Sequence, residues 1–231
     1  MRALIIGAGP AGLTAALVLR RFGWHVRLVE EAPRLRTSGF SVRVGVRGQQ
    51  VLASLIDVPT ADGPVEIWRG DLVRLLARDV GEIDFGVCAE TVPHEGWDVV
   101  LGADGIDSPT RGRLGLDGRV PTGRSLALYR GDPLTGPVIF PTGGSPGGDP
   151  WRVDEICQIV LPRWSHGNVM LIGDAAAACG ATTGYGTTVA LVMGFEVARG
   201  LTEGLTLDEV EAQLRPWVTE QQAAARRHLL A

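Results

Sequence analysis

The stretch Met1–Glu30, MRALIIGAGPAGLTAALVLRRFGWHVRLVE, decides the fold of this chain. It begins with Ala3–Ile6, an apolar run typical of a buried strand, and continues with Gly7-Ala8-Gly9-Pro10-Ala11-Gly12, a G-x-G-x-x-G turn. Small and large apolar residues then follow at helical spacing over Leu13–Arg21, and a second, β-branched strand ends at the acidic residue Glu30. This order of strand, glycine turn, helix, strand and acid predicts a dinucleotide-binding unit.

Each residue type in this stretch meets a physical requirement of dinucleotide binding. Gly7 allows a tight turn, Gly9 lets the backbone approach a pyrophosphate, and Gly12 lets helix and strand pack closely. The helix N-terminus adds free N–H groups and the positive end of a dipole, and Glu30 can accept hydrogen bonds from a ribose diol. The predicted nucleotide-binding residues are Gly7, Gly9, Pro10, Ala11, Gly12, Glu30 and Glu31.

The composition excludes several other classes of protein. A net charge of −4 without a run of Lys or Arg gives no reason to expect nucleic acid or a membrane surface as partner. Cys88, Cys157 and Cys179 are far apart, which predicts neither a disulfide framework nor a metal site. The glycine turn interrupts the apolar N-terminus, so we expect no signal peptide, no membrane span and a reducing, cytoplasmic location.

Three later segments carry side chains that suit a nucleotide site, although each has a simpler interpretation. Arg69 begins an amphipathic helix over Arg69–Asp79 and could be an exposed helix charge. Asp104, in Gly102-Ala103-Asp104-Gly105, could simply form a turn, and Asp174, in Gly173-Asp174, could cap a helix. Taken one at a time, the simpler interpretations are at least as good as the functional ones.

Taken as an ordered set, these motifs resemble the FAD-dependent monooxygenases and aromatic hydroxylases. The resemblance rests on four segments in the family's order, namely Met1–Glu31, Ile67–Leu76, Asp98–Arg111 and Pro162–Ala190. It implies an α/β fold, with a Rossmann-like FAD-binding domain of the GR2 type and the para-hydroxybenzoate hydroxylase fold. FAD would be the cofactor, and NADPH or NADH the electron donor.

The resemblance also implies roles for individual residues. Glu30 would bind the adenosine ribose, and Arg69 would reach the pyrophosphate or the ribityl chain. Asp104 would lie near the middle of the cofactor and the path of the nicotinamide donor, and Asp174 would bind a ribityl hydroxyl. The remaining implied contacts, around the isoalloxazine and the helix N-terminus aimed at it, are Gly173, Gly184, Gly186 and Thr187.

The chain departs from the family's pattern in the segment that should enclose the substrate. Between Arg111 and Pro162 there is little room for a several-stranded sheet, and Val120–Pro150 is so rich in Gly and Pro that we predict a linker or long loop. We therefore expect a single FAD-binding domain over 1–231, in which 112–161 is a reduced remnant of the substrate-binding region. Ala181 and Arg43 also replace a Pro and an Asp that are common in the family.

Three functions follow from these observations. The first is an FAD-binding oxidoreductase of the monooxygenase type that uses NAD(P)H and O2 on an aromatic or polyketide-like small molecule, as in secondary metabolism. The second is a non-oxygenating, cyclase-like enzyme of a natural-product pathway. The third is a non-catalytic flavin-binding subunit, in which a homodimer or protein partner covers an exposed sheet face. No residue is predicted as an acid–base catalyst, since His25, His94, His166 and His228 suit structural or solvated positions better.

Overall fold

The computed structural model describes residues 1–37, 40–129, 137–150, 152–181 and 183–230. Its strands are β1 (Arg2–Ile6), β2 (His25–Glu30), β3 (Ser41–Val44), β4 (Val65–Trp68), β5 (Asp84–Phe85), β6 (Val99–Gly102), β7 (Arg119–Leu128), β8 (Val138–Pro141), β9 (Arg152–Ile159), β10 (Ser165–His166) and β11 (Val169–Leu171). Its α-helices are α1 (Pro10–Arg21), α2 (Val46–Leu55), α3 (Arg69–Arg78), α4 (Pro109–Arg113), α5 (Asp174–Ala177), α6 (Gly186–Thr202) and α7 (Leu207–Leu230).

The central sheet has six strands in the order β10-β11-β6-β1-β2-β5, and every pairing except that of β10 is parallel. Strands β1 and β6 are apolar and buried because helices or loops cover both faces, as in other parallel sheets. Ile6 and Leu171 are both in register with Gly102, so β1, β6 and β11 end level with one another. The loops that follow these three strands therefore meet at one edge of the sheet.

Helices α1 and α6 pack unusually closely because small residues lie between them. A Cβ atom at Gly194 of α6 would stand 2.3 Å from the carbonyl oxygen of Ala11. A Cβ atom at Gly173 would stand 2.8 Å from the Cβ of Ala11. Ala11 is thus the residue of α1 against which both α6 and the start of α5 pack, through its carbonyl oxygen and its Cβ respectively.

The predicted unit over Met1–Glu30 is confirmed. The prediction of a loop over Val120–Pro150 is wrong, because β7, β8 and β9 form a three-stranded antiparallel sheet. The pairing of β7 with β9 shifts register between Pro121 and Arg124, where Gly123 has a φ of +73°. Pro and Gly therefore mark a bulge within a strand; residues 130–136 of this stretch lie outside the described part of the chain.

Helix α7 begins with a capping box, in which Thr206 Oγ1 donates to Glu209 Oε2 at 2.7 Å. Pro216 lies inside this helix, which nevertheless continues to Leu230. Pro216 and Ala212 are both exposed, so water can satisfy the Ala212 carbonyl that loses its helical donor. None of the described helices is both long and apolar enough to cross a membrane.

Candidate FAD-binding and substrate site

The glycine turn after β1 has the geometry that its sequence predicts. Gly7 has a φ of +107°, and a Cβ atom there would stand 2.4 Å from the carbonyl oxygen of Ala103. A Cβ atom at Gly12 would stand 2.0 Å from the carbonyl oxygen of Gly7. Gly9, which caps α1, has no atom within 4 Å of its Cβ position and borders a cavity. Two of the glycines thus allow close packing, while the third leaves open space in front of the helix N-terminus.

Glu30 holds the glycine turn and the end of β2 together. Its carboxylate accepts hydrogen bonds from Ala8 N at 2.8 Å and from Ala32 N at 3.0 Å. Arg36 forms an ion pair with Glu30 at 3.3 Å and with the exposed Glu31 at 3.5 Å. All three charged residues line the cavity in front of Gly9, so Glu30 is placed where it can also accept from a ribose hydroxyl.

Asp104 lines the same cavity, but its carboxylate is engaged with its own loop. It accepts from Ser108 Oγ at 2.5 Å and from Thr110 N at 2.8 Å, which secures the start of α4. The simpler interpretation of this residue, as a loop-forming side chain, therefore accounts for its hydrogen bonds. Its position beside Gly7 and Gly9 still leaves it at the predicted nucleotide site.

Arg69 connects this first cavity to a second one, because it lines both. Burial lowers the pKa of its guanidinium, the carboxylates of Asp174 and Glu30 oppose that shift, and Arg36 reinforces it. The neighbouring Gly70 allows the start of α3 to lie against the loop at Thr37, since a Cβ atom at Gly70 would stand 2.0 Å from the carbonyl oxygen of Thr37. Arg69 is therefore a partly buried cation between two cavities, and the interpretation as an exposed surface charge is wrong.

The second cavity has a volume of about 450 Å³ and is bounded by the segment that follows β11. Asp174 is the first residue of α5 and lies on the cavity wall; its cap is Gly173, so the predicted capping role for Asp174 is not found. Burial raises the pKa of the Asp174 carboxyl, and Arg69 opposes the rise. The Asp174 side chain faces the open cavity, where solvent reaches it.

The N-terminus of α6 opens onto the same space. Gly186 and Thr187 are its first residues and line the cavity, as does Gly184, which has a φ of +79°. The backbone N–H groups at the start of this 17-residue helix lack helical acceptors and carry a positive partial charge. The cavity wall thus combines a helix N-terminus with the pair Arg69 and Asp174.

Cys179 lines this cavity as a buried thiol, as predicted. Burial raises the pKa of Cys179 to about 12, and Asp174 contributes to the rise. A thiol with this pKa is protonated at neutral pH and is a poor nucleophile. The described residues contain no cluster of three or more His, Cys, Asp or Glu side chains suited to a metal ion.

Sequence reasoning missed several residues of the second cavity. Arg43 and Glu66, from the β3–β4 hairpin, lie on its wall, and so does His228 from the last turn of α7. Arg43 could have been found, because it replaces an Asp that the family often has. His228 had no such signal, since only the tertiary packing of α7 brings it to the cavity.

The fold is that of the para-hydroxybenzoate hydroxylases. Residues 1–51 match the family model described as FAD binding domain, which confirms the predicted FAD-binding unit. Comparison with solved structures supports the fold throughout. A tetrameric 2-methyl-3-hydroxypyridine-5-carboxylic acid oxygenase superposes with a TM-score of 0.80 at 21% identity, over 98% of this chain and 90% of its own. Klebsiella pneumoniae HpxO, complexed with FAD and uric acid, gives 0.76 at 18% identity, over 99% and 88%.

A curated relative extends the similarity in sequence. A putative 2-heptyl-3-hydroxy-4(1H)-quinolone synthase from Rhodococcus erythropolis is 25% identical over 96% of this chain and 84% of its own length. That alignment spans 324 positions, more than the 231 residues of this chain, so the relative has internal segments that this chain lacks. The predicted resemblance to FAD-dependent monooxygenases is confirmed.

Proposed function

We propose that this protein is an FAD-dependent monooxygenase that oxygenates an aromatic or polyketide-like small molecule with NADPH or NADH and O2. One observation carries the proposal: the loops after β1, β6 and β11 and the N-termini of α1 and α6 surround two cavities that meet at Arg69. The open space at the Cβ position of Gly9, in front of the N-terminus of α1, fits the close backbone approach that FAD requires. The relatives named above, which include an oxygenase and a protein complexed with FAD, support the same function.

The first cavity would hold the adenosine and pyrophosphate part of FAD. The N–H groups at the start of α1 would donate to the pyrophosphate beside Gly9, Pro10 and Ala11, and Arg69 would neutralise its charge. Glu30 would accept from the ribose hydroxyls, with Glu31 at the outer edge. Asp104 would border this part of the site through the loop that it holds in place.

The second cavity would hold the ribityl chain and the flavin ring. Bound FAD would supply the redox chemistry: electrons from the nicotinamide donor reduce O2, one oxygen atom enters the substrate and the other leaves as water. Asp174 would accept from a ribityl hydroxyl, next to Gly173. Gly184, Gly186 and Thr187 would let the backbone and the N-terminus of α6 approach the ring, where the helix dipole favours negative charge.

We assign the enclosure of the substrate to the segment 112–161 together with α7, within a single domain over 1–231. Ile156 of β9, Leu126 of β7 and Leu229 of α7 form a small buried cluster that joins the three-stranded sheet to this helix. His228, one residue earlier in α7, lines the cavity. Helix α7 thus supports the three-stranded sheet, and together they would exclude water from the reacting atoms.

The visible spectrum of the purified protein tests this proposal directly. We expect flavin bands in near-stoichiometric amount, anaerobic bleaching by NADPH or NADH, and O2 uptake that a substrate increases. Asp174→Asn should weaken FAD binding at least tenfold through a lost charge-assisted hydrogen bond, whereas Asp71→Asn, on the exposed side of α3, should not. A colourless protein that does not bind added FAD would refute the proposal.

The missing internal segments favour one alternative, a cyclase-like enzyme in which FAD shapes the cavity without oxygenation. This alternative requires turnover that persists without O2 or a nicotinamide donor, so strict dependence on both excludes it. The other alternative is a non-catalytic flavin-binding subunit whose partner covers an exposed sheet face. The exposed apolar residues of the three-stranded sheet that such a partner would cover are Val138, Ile139 and Val153. Light scattering after size exclusion tests whether a homodimer covers them; the partner and the cytoplasmic location stay predictions.

A further inference from the structure

Arg43 and Glu66 form a charged pair on the wall of the second cavity. They are cross-strand neighbours in the β3–β4 hairpin, with Arg43 Nε 3.3 Å from Glu66 Oε1. Ser41 Oγ donates to the other carboxylate oxygen, Glu66 Oε2, at 2.8 Å. Glu66 therefore has a donor on each oxygen, and the pair is held by its hairpin and not by the cofactor cradle.

The Arg43 side chain extends along the loop before α6. The Cβ position of Gly184 is 3.1 Å from Arg43 Cδ, so the absence of a side chain at Gly184 gives the Arg43 stem its place. Within the part of the chain that the structure describes, the hydrogen bond of Arg43 uses Nε alone. The Arg43 side chain is 56% exposed, and its two terminal amino groups remain available to a ligand in the cavity.

The other charges of the cavity are arranged differently. Arg69 and Asp174 interact with each other at the junction of the two cavities, where the cofactor would lie. The N-terminus of α6, at Gly186 and Thr187, adds positive partial charge to the wall that also carries Arg43. Glu66 is the negative group beside Arg43, and its carboxylate also accepts a hydrogen bond from Ser41 Oγ.

We propose that Arg43 binds the carboxylate of an aromatic carboxylic acid substrate, with Glu66 holding the guanidinium in place. This inference rests on the proposed function, because it places the substrate in the cavity that also receives the flavin ring. A planar guanidinium with free terminal amino groups matches a carboxylate in two parallel hydrogen bonds, which a lysine or a neutral side chain cannot reproduce. The pyrophosphate of the nicotinamide donor is the other anion that could reach Arg43, so the test separates the two.

The experiment measures ligand binding to the FAD-loaded protein through the change in flavin absorbance. The probes are benzoate, 4-hydroxybenzoate, anthranilate, nicotinate and 2-naphthoate, each compared with its amide. We expect at least one carboxylate to bind better than its amide, and Arg43→Gln to raise the Kd of that carboxylate about 10- to 100-fold. The Kd of the matching amide and the KM for NADPH or NADH should stay within about twofold of wild type.

Two further variants complete the design. Glu66→Gln removes the charge that holds the guanidinium in place and should weaken carboxylate binding, although by less than Arg43→Gln does. Arg74→Gln removes an exposed arginine paired with Asp71 on α3 and should change neither Kd nor KM. Equal binding of all carboxylates and amides, or a higher donor KM in Arg43→Gln with unchanged carboxylate binding, would overturn the proposal. Failure of the protein to bind FAD would give no flavin signal at all and would instead refute the proposed function.

Discussion

Gly12→Ala should destabilise the protein even in the absence of FAD. The added Cβ atom would stand 2.0 Å from the carbonyl oxygen of Gly7, whereas a carbon–oxygen contact normally needs about 3.4 Å. The turn and the helix must therefore separate by roughly 1.4 Å, since a backbone atom cannot rotate away as a side chain would. Overpacking of this kind costs about 3 kcal/mol, and the better helix propensity of Ala returns about 1 kcal/mol.

The net loss of about 2 kcal/mol should lower the Tm of the FAD-free protein by about 4–8 °C. The displaced turn should also weaken FAD binding at least tenfold, because a single lost charge-assisted hydrogen bond to phosphate has that effect. Thermal unfolding followed by circular dichroism measures the first quantity, and quenching of FAD fluorescence measures the second.

Gly9→Ala is the matched control, since no atom lies within 4 Å of its Cβ position. Ala is a poor N-cap, so a loss below about 1 kcal/mol is expected in the FAD-free protein. FAD binding should nevertheless fall at least tenfold, because the methyl group stands where the pyrophosphate would approach. The reasoning is refuted if Gly12→Ala melts within about 1 °C of wild type, or if Gly9→Ala binds FAD with wild-type affinity.

Three other predictions concern the rest of the fold. Glu211→Gln should cost about 3 kcal/mol at pH 7, since the carboxylate pairs with Arg215 and accepts from two backbone N–H groups. Burial raises the pKa of Glu211, but its hydrogen bonds outweigh burial and lower the pKa below the ordinary 4.5. The carboxylate therefore stabilises the fold above pH 4.5, and this stabilisation is lost as the pH falls through the pKa of the folded state. Urea unfolding at several pH values should show that the stability difference between Glu211→Gln and wild type shrinks in acid. Cys179 should remain unmodified by iodoacetamide in the native protein and react fully in urea, as read by mass spectrometry; rapid native labelling would contradict its raised pKa. Thr206→Ala should remove the capping box of α7 and cost about 1 kcal/mol in thermal unfolding, whereas Thr219→Ala, on the exposed face of the same helix, should cost less than about 0.5 kcal/mol.

The nucleotide-binding half of the fold could be predicted because its requirements are local. Gly7 is required by its φ of +107° and Gly12 by its contact with the carbonyl oxygen of Gly7, and Glu30 lies directly at the end of its strand. These constraints appear in the sequence as residue types at fixed spacing. The placement of Asp104 and Asp174 near this turn was implied by the family resemblance and not by their local sequence.

The three-stranded sheet could not be predicted in the same way. Pro121 and Gly123 are typical of loops, yet here they lie within β7 at a register shift, where a bulge tolerates both. The burial of Leu126 depends on Leu229, which is about a hundred residues later in the sequence and has no local signal. The same long-range packing brings His228 to the cavity, so this wall of the site depends on tertiary contacts alone.

The contact of Ala11 with Gly173 and Gly194 has a consequence for the length of ligand that the proposed FAD site can accept. Ala11 lies at the start of α1, Gly194 is in the middle of α6, and Gly173 precedes Asp174. In the proposed site, contact between these three small residues would therefore set the distance between the pyrophosphate end and the flavin end. A larger side chain at Gly194 would change that distance, so that the two ends of FAD would no longer fit both cavities at once. Gly194 would have this effect although it lines neither cavity.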